Sequence, residues 1–203
     1  PRYVLQQVLK KYEDKGLRPV SASELEFFIY NPGENGPGAL YNPILSSIYQ
    51  QNPMLDRMGL MQTLQNHLLN VGIDVLCLNH EFFLSQWEIN WMHDHALNTA
   101  DQTFTFKYLC KEFAAQNNFH LTFMSRPTTD GGGSGYHIHL SLSDQKTRKN
   151  LFDQPEGQFG MSDLMRHFLG GQMAHAKGMS ALLAPTINSY KRYVPDSFAP
   201  YYL

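Results

Sequence analysis

Ser23-Glu24-Leu25-Glu26-Phe27-Phe28-Ile29-Tyr30 is the stretch on which the reading of this chain turns. Its alternation has the two-residue period of a β-strand, with Leu25, Phe27 and Ile29 on one face and Glu24, Glu26 and Phe28 on the other. Two carboxylates at i and i+2 project to the same side, about 6.6 Å apart along the strand. A solvated strand face also reads polar, apolar, polar. The run Phe27-Phe28-Ile29-Tyr30, however, marks a strand that is mostly buried. Like charges about 4 Å apart repel by roughly 4 kcal/mol even at an effective dielectric of about 20. A buried pair of carboxylates therefore needs a cation or a shared proton.

Working outward, Val4, Leu5, Val8, Leu9 and Tyr12 recur at helical spacing, and Gly16 stands where a helix would end. Residues 31–43, rich in Pro, Gly and Asn, read as a loop. Leu55, Met58, Met61, Leu64 and Leu68 predict a helix that stops before Gly72. Residues 73–79 and 84–91 read as two neighbouring strands. In the second, Trp87, Ile89 and Trp91 face one way and Gln86, Glu88 and Asn90 the other. A helix is predicted over 98–116, a strand over 120–125, a glycine-rich loop over 130–135 and a strand over 136–142. A last helix starts after Ser162 as N-cap and runs to Leu183. This mixed order, without regular β–α–β alternation, predicts an α+β domain: a largely antiparallel sheet flanked by helices.

The chain has 203 residues, enough for a sizeable core, and 42% of them are hydrophobic against 17% charged, which excludes global disorder. Sixteen Lys and Arg against eighteen Asp and Glu leave no basic excess for nucleic acid or an anionic membrane. No apolar run approaches the ~18 residues of a membrane helix. Cys77 and Cys110 form no CxxC pair, which excludes a disulfide scaffold and makes the reducing cytoplasm the default location. Pro1 opens the chain without a signal peptide, and Leu203 ends it abruptly, so a piece of a longer protein is expected.

Three further stretches carry chemistry. Glu81 and Glu88 are read as lying one on each of the two neighbouring strands. Converging with Glu24 and Glu26, they would make a hard-oxygen site suited to Mg²⁺ or Mn²⁺. The run Asp130 to Ser141 places His137, His139 and Ser141 on one face of a strand, after glycines that permit close backbone approach. It is no P-loop, because no Gly-Lys-Ser/Thr follows and a strand comes next. It is no nucleophile elbow either, because Tyr136 stands two after Ser134. A His-x-His metal site with a downstream Glu is disfavoured, since residues 140–145 offer only Asp144. Finally, Asn188-Ser189-Tyr190-Lys191-Arg192 precedes Val194-Pro195. A basic pair before proline is usually an exposed loop, but an Arg in a cleft grips a carboxylate bidentately.

Together these segments resemble the catalytic domain of the glutamine synthetase family. The resemblance rests on Glu24-x-Glu26-Phe27-Phe28, on Glu81 with Ser85-Gln86-Trp87-Glu88, on Gly133-Ser134-Gly135-x-His137-x-His139-x-Ser141, and on Asn188 to Arg192 before Val194-Pro195. All four occur in the family's order and span residues 24–200. The resemblance implies that Glu26, Glu81 and Glu88 bind the metal on the glutamate side, while Glu24 and His137 bind a second metal beside the ATP phosphates. His139 and Ser141 match nucleotide contacts, Gly133 lies where the glycine loop meets glutamate, and Arg192 matches the catalytic arginine that holds the substrate carboxylate. It further implies ATP as co-substrate, two or more Mg²⁺ or Mn²⁺, a γ-glutamyl phosphate intermediate and a homo-oligomeric ring. An N-terminal β-grasp domain and the C-terminal end of the catalytic domain are expected to lie outside residues 1–203.

The departures point to a particular branch. Where the family reads Val-Pro-Gly-Tyr-Glu-Ala-Pro, this chain reads Val194-Pro195-Asp196-Ser197-Phe198-Ala199-Pro200, with Phe198 in place of a Glu that forms the ammonium pocket. Gly132 replaces an Asn, and Leu84-Ser85 replaces Pro-Gly or Pro-Ala. These shifts resemble the γ-glutamylpolyamine synthetases, which join glutamate to larger amines. The expected function is an ATP-dependent glutamate–amine ligase with an organic amine or polyamine as acceptor. The alternatives are an ammonia-using glutamine synthetase and a non-catalytic structural relative.

Overall fold

Strand β1 (Leu17–Gly33) organises the fold of the computed structural model, which describes residues 1–43, 49, 53–129, 132–195 and 197–200. It pairs with β2 (Gly36–Leu40), β4 (Gln86–Trp91), β5 (Asp94–His95), β6 (His120–Thr122) and β7 (Tyr136–Asp144). Strand β3 (Val75–His80) adds to the far side of β4. The pairings of β1 with β2, β4, β5 and β6, and of β3 with β4, are antiparallel. Helices α1 (Arg2–Glu13), α2 (Leu60–Asn70), α3 (Ala96–Gln116), α4 (Asp163–Leu183) and α5 (Ile187–Tyr190) complete an α+β architecture, as the sequence predicts. No described helix is long and apolar enough to cross a membrane. The chain divides into two compact units: residues 1–22, 93–100 and 139–186, and residues 23–92, 101–138 and 187–203.

The second of these units holds the main core. Leu25, Phe27 and Ile29 of β1 and Trp87, Ile89 and Trp91 of β4 are all buried on one sheet face, beneath Leu64 and Leu68 of α2 and Phe106 and Cys110 of α3. Alternation alone assigns these side chains to the core face. Phe27 is fully buried, with its ring centroid 6.3 Å from that of Phe106 and 5.6 Å from that of Phe123. On the opposite face the same register aligns Glu26 with Glu88 and Glu24 with Asn90.

Four expectations need correction here. Residues 31–43 are not all loop: β1 continues to Gly33 and β2 returns along it, with Pro32 opposite Pro37 and Gly33 opposite Gly36. Breaker residues are tolerated on such an edge, and a Cβ on Gly38 would stand 2.7 Å from the Pro32 carbonyl oxygen. The helix predicted from Leu55 is split. A short 3₁₀ turn spans Pro53–Asp56, Gly59 takes φ +65°, and α2 begins at Leu60. Asp56 causes the restart, since its carboxylate accepts from the Leu60 and Met61 N–H groups at 2.9 Å each. At the other end Gly72 closes α2 as expected, with Ile73 N–H donating to the Leu68 carbonyl at 3.0 Å and Gly72 N–H to Leu69 at 3.0 Å. The strand predicted over 120–125 is shorter, ending at Thr122. Glu81 lies not on a strand but in the β3–β4 turn, where its N–H donates to the Gln86 carbonyl at 2.8 Å and Ser85 takes φ +57°. Asp130, Gly131 and Asp196 of the quoted motifs lie outside the described residues.

In the other unit, β5 pairs with the start of β1 (Val20 with His95, Ser21 with Asp94), and Arg18 bonds Asp94 at 3.2 Å. Ser162 caps α4 as predicted, accepting from the Met165 N–H at 3.1 Å. Truncating the central core ring is the simplest test of the sheet assignment. Phe27→Ala is expected to cost about 3–5 kcal/mol, read as a lowered midpoint in urea unfolding. A loss below about 1 kcal/mol would contradict a core position.

Candidate active site

The β1–β4 register brings the carboxylates together. Glu26 stands directly opposite Glu88, a pairing that is unfavourable for two like charges on one sheet face. Glu88 is buried and Glu26 is 11% exposed at its side chain. Burial, together with a hydrogen bond shared with Glu24, pushes the Glu88 carboxyl up to about 8. Asn90 donates its amide to Glu88 Oε1 at 2.9 Å. Gln86 Nε2 donates to Glu26 Oε2 at 2.7 Å and to the Gly133 carbonyl at 3.1 Å, tying β4 to the glycine loop. Glu81 reaches in from its turn. Its Oε2 accepts from the Phe82 N–H at 3.3 Å, while its buried Oε1 has no hydrogen-bond partner among the described residues. Burial, then the charge of Glu26, raises the Glu81 carboxyl as well.

The glycines are needed as empty space. A Cβ on Gly135 would fall 2.7 Å from both Glu26 Oε1 and His137 Nε2, and these two atoms are themselves 3.6 Å apart. The hydrogen bond to Glu26 is the main cause raising the His137 imidazole above its ordinary value. At Gly133 a Cβ would sit 2.2 Å from the Ser125 carbonyl oxygen and 3.0 Å from Arg192 Cδ. At Gly132 it would fall 1.8 Å from a ring carbon of Phe83.

Arg192 enters the same cavity through an anchored loop. Asn188 of α5 holds that loop by a double hydrogen bond to the backbone of Arg126, accepting from its N–H at 2.9 Å and donating to its carbonyl at 2.8 Å. The Ser197 hydroxyl lies 2.5 Å from the Arg192 carbonyl oxygen and 2.6 Å from that of Val194. Arg192 Nε is buried without a hydrogen-bond partner among the described residues, an unspent donor suited to an anion. Glu24, Glu26, Glu81, Glu88, Gly133, His137 and Arg192 thus line one cavity of about 250 Å³. Tyr49, Phe82, Phe83, Gln86, Ser197 and Phe198 complete its wall. Of these, the sequence reading assigned a role only to Phe198. Gln86 carried a legible signal, since alternation puts it on the Glu88 face, whereas Tyr49 carried none.

His139 and Ser141 are found elsewhere, in the other unit. There they line a second cavity of about 700 Å³ with Arg18, His93, Arg148 and Asn150, and Ser141 donates to Asn150 Oδ1 at 3.2 Å.

The first cavity suits a divalent cation in chemistry. Four carboxylates and one imidazole form a hard, oxygen-rich donor set, with Glu81 Oε1 buried and unsatisfied and Glu26 opposite Glu88 in the strand register. Among the described residues no three of these groups already stand in an arrangement that could hold a metal ion. The Gln86 and Asn90 amides and the Glu24–Glu88 hydrogen bond engage several of the oxygens instead.

Comparison with known proteins gives a consistent answer. The family model described as glutamine synthetase, catalytic domain, matches residues 1–203. A glutamine synthetase of Thermotoga maritima is 36% identical over 203 residues, covering all of this chain and 46% of that protein. One of Rhizobium meliloti is 34% identical over 192 residues, covering 95% of this chain and 44% of that protein. Among solved structures, "Apo GmaS without ligand" superposes with a TM-score of 0.86 at 33% identity, over 95% of this chain and 45% of that one. A cryo-EM structure of Plasmodium falciparum glutamine synthetase gives 0.85 at 26% identity, over 97% and 44%. This chain therefore spans slightly less than half the length of the relatives it matches.

The raised Glu88 carboxyl has a consequence for stability. Because its folded value lies above the ordinary 4.5, the folded state binds the proton more tightly. The contribution of Glu88 is then fully present below about pH 4.5 and is lost as pH rises toward about 8. In full-length protein freed of metal by EDTA, Glu88→Gln is expected to raise the melting temperature at pH 8.5 and to leave it nearly unchanged at pH 5. Added Mg²⁺ or Mn²⁺ should raise the wild-type value more than the variant's. Equal melting of the two proteins at both pH values, with and without metal, would contradict a buried carboxylate cluster at this position.

Proposed function

We propose that this chain, which belongs to the glutamine synthetase family and matches its catalytic domain, is the central part of an ATP-dependent ligase that joins the γ-carboxylate of glutamate to an organic amine. The observation that carries this reading is the convergence of Glu24, Glu26, Glu81, Glu88, His137, Gly133 and Arg192 on one cavity, in the order of the family's motifs. Glu26, Glu81 and Glu88 would hold one divalent cation and Glu24 with His137 a second. When bound, these cations offset the negative charge that builds up between a carboxylate and a phosphate during in-line transfer.

The residues of the chain then divide the work. Gly133, without a side chain, lets substrate approach the loop backbone that Gln86 steadies through its carbonyl. Arg192, with a buried unpaired Nε, holds the substrate carboxylate and orients its γ-carboxylate oxygen toward the γ-phosphorus. His139 and Ser141 contact the nucleotide. The γ-carboxylate oxygen attacks the γ-phosphorus and ADP leaves. The amine nitrogen then attacks the acyl carbon, phosphate leaves with the C–O electron pair, and the nitrogen gives up a proton. Excluding water from this cavity protects the acyl phosphate from hydrolysis. The full protein would act as a homo-oligomer.

The acceptor is assigned from Phe198, an aromatic where the family pattern places a carboxylate. An aromatic ring favours an alkylated cation over bare ammonium. A second reading, ammonia as acceptor, is favoured by the names of the Thermotoga maritima and Rhizobium meliloti relatives. With full-length protein, ATP, Mg²⁺ and glutamate, ADP release is expected to rise strongly with an organic amine from a panel of monoamines, diamines and polyamines. A response to ammonium alone would select the second reading. Glu88→Gln is expected to lower turnover strongly, measured as ADP formed. An unchanged rate would overturn its role as a ligand.

A further inference from the structure

We propose that Phe82, Phe83 and Phe198 form the acceptor-facing wall of the cavity, and that the acceptor is a primary alkylammonium whose first carbons lie against these rings. This rests on the ligase reading above. The three rings form a closed group, with centroids 5.3 Å apart for Phe82 and Phe83, 5.0 Å for Phe82 and Phe198, and 6.1 Å for Phe83 and Phe198. All three line the cavity that holds the four glutamates. Phe82 is 52% and Phe198 69% exposed, so much of their apolar surface is uncovered at this cavity. Aromatic faces attract a cation through their ring quadrupole and cover hydrocarbon through their apolar area, so they suit a ligand that is both cationic and hydrocarbon, and bare ammonium cannot use that apolar area.

The wall is built into the chain. The ring of Phe83 occupies the volume into which any side chain at position 132 would project, since a Cβ there would lie 1.8 Å from the ring. The glycine at 132, where the resembled pattern has Asn, and the phenylalanine at 83 are therefore sterically coupled. Phe198 is held at φ +57°, a backbone conformation that non-glycine residues seldom adopt, directly after Ser197, whose hydroxyl ties the Arg192 and Val194 carbonyls. Glu81, next in sequence to Phe82, keeps a buried oxygen without a hydrogen-bond partner among the described residues at the foot of the wall. Phe82 and Phe83 thus become specificity-determining residues for the nitrogen donor.

The test uses full-length protein with ammonium and methyl-, ethyl- and n-propylammonium. Acceptor KM is measured at saturating ATP and glutamate. Binding is measured separately by calorimetry with glutamate and a non-hydrolysable ATP analogue. Affinity should rise about fourfold per added CH₂ in the wild type. That slope should flatten in Phe82→Ala and Phe198→Ala, whose parent side chains are exposed enough for folding to tolerate the change. The loss should fall on the KM of the acceptor rather than that of glutamate. Equal binding of ammonium and n-propylammonium, or a slope retained in both variants, would overturn the wall. ADP release with ammonium but no alkylammonium binding would overturn the wall and leave the ligase standing. Alkylammonium binding that flattens in the variants but yields no ADP release would keep the wall and overturn the ligase. Neither binding nor release would overturn both.

Discussion

The register between β1 and β4 is the constraint on which the rest depends. It places Leu25 against Ile89 and Phe27 against Trp87 on the core face, and the same alignment sets Glu26 against Glu88 on the other. A one-residue slip would turn every core side chain to the opposite face. Burial of a large apolar side chain contributes about 1.5–3 kcal/mol, while a like-charge cross-strand pair costs on the order of 0.2–1 kcal/mol. The core therefore holds two carboxylates together that would separate if the strands were free to choose. Hydrogen bonds from Gln86 to Glu26 and from Asn90 to Glu88, and the hydrogen bond between Glu88 and Glu24, relieve part of that repulsion. A divalent cation would relieve more.

The second requirement is emptiness. Gly132, Gly133 and Gly135 are not simply flexible: each leaves out a Cβ where another group already stands. That group is the Phe83 ring, the Ser125 carbonyl with Arg192, and the Glu26–His137 pair respectively. Side chains from the β3–β4 turn, from β1 and from the loop after α5 can share about 250 Å³ only because this segment contributes backbone alone. The same economy of space lets the aromatic trio close one side of the cavity beside its acidic floor.

Much of this was legible in the chain, and the misses share a cause. Alternation identified β1 and β4 and sorted their side chains correctly, because a two-residue period is a local property of an extended backbone. The Ser162 cap and the Gly72 stop were equally local. The β2 strand was hidden because Pro and Gly read as breakers, while pairing along an edge tolerates them. Apolar periodicity starts α2 at Leu55, five residues before its first helical residue Leu60, since Asp56 reaches forward to cap the later turn. Glu81 reads as part of a strand because nothing local distinguishes a strand end from a turn whose bonds close back on Gln86.

By itself the sequence determined the α+β class and the charged face of β1, and it marks the acidic, histidine and arginine residues as candidates. Those follow from residue type and short-range periodicity, which the chain carries wherever it is placed. Only the tertiary structure decided that Glu26 faces Glu88, that Glu81 joins them from a turn, and that His139 and Ser141 line a different cavity from His137. It also decided that Phe82 and Phe83, unremarkable in sequence, stand with Phe198 in one wall. These are juxtapositions of residues dozens of positions apart, set by strand register and close packing, and no local pattern encodes a distance between separate segments.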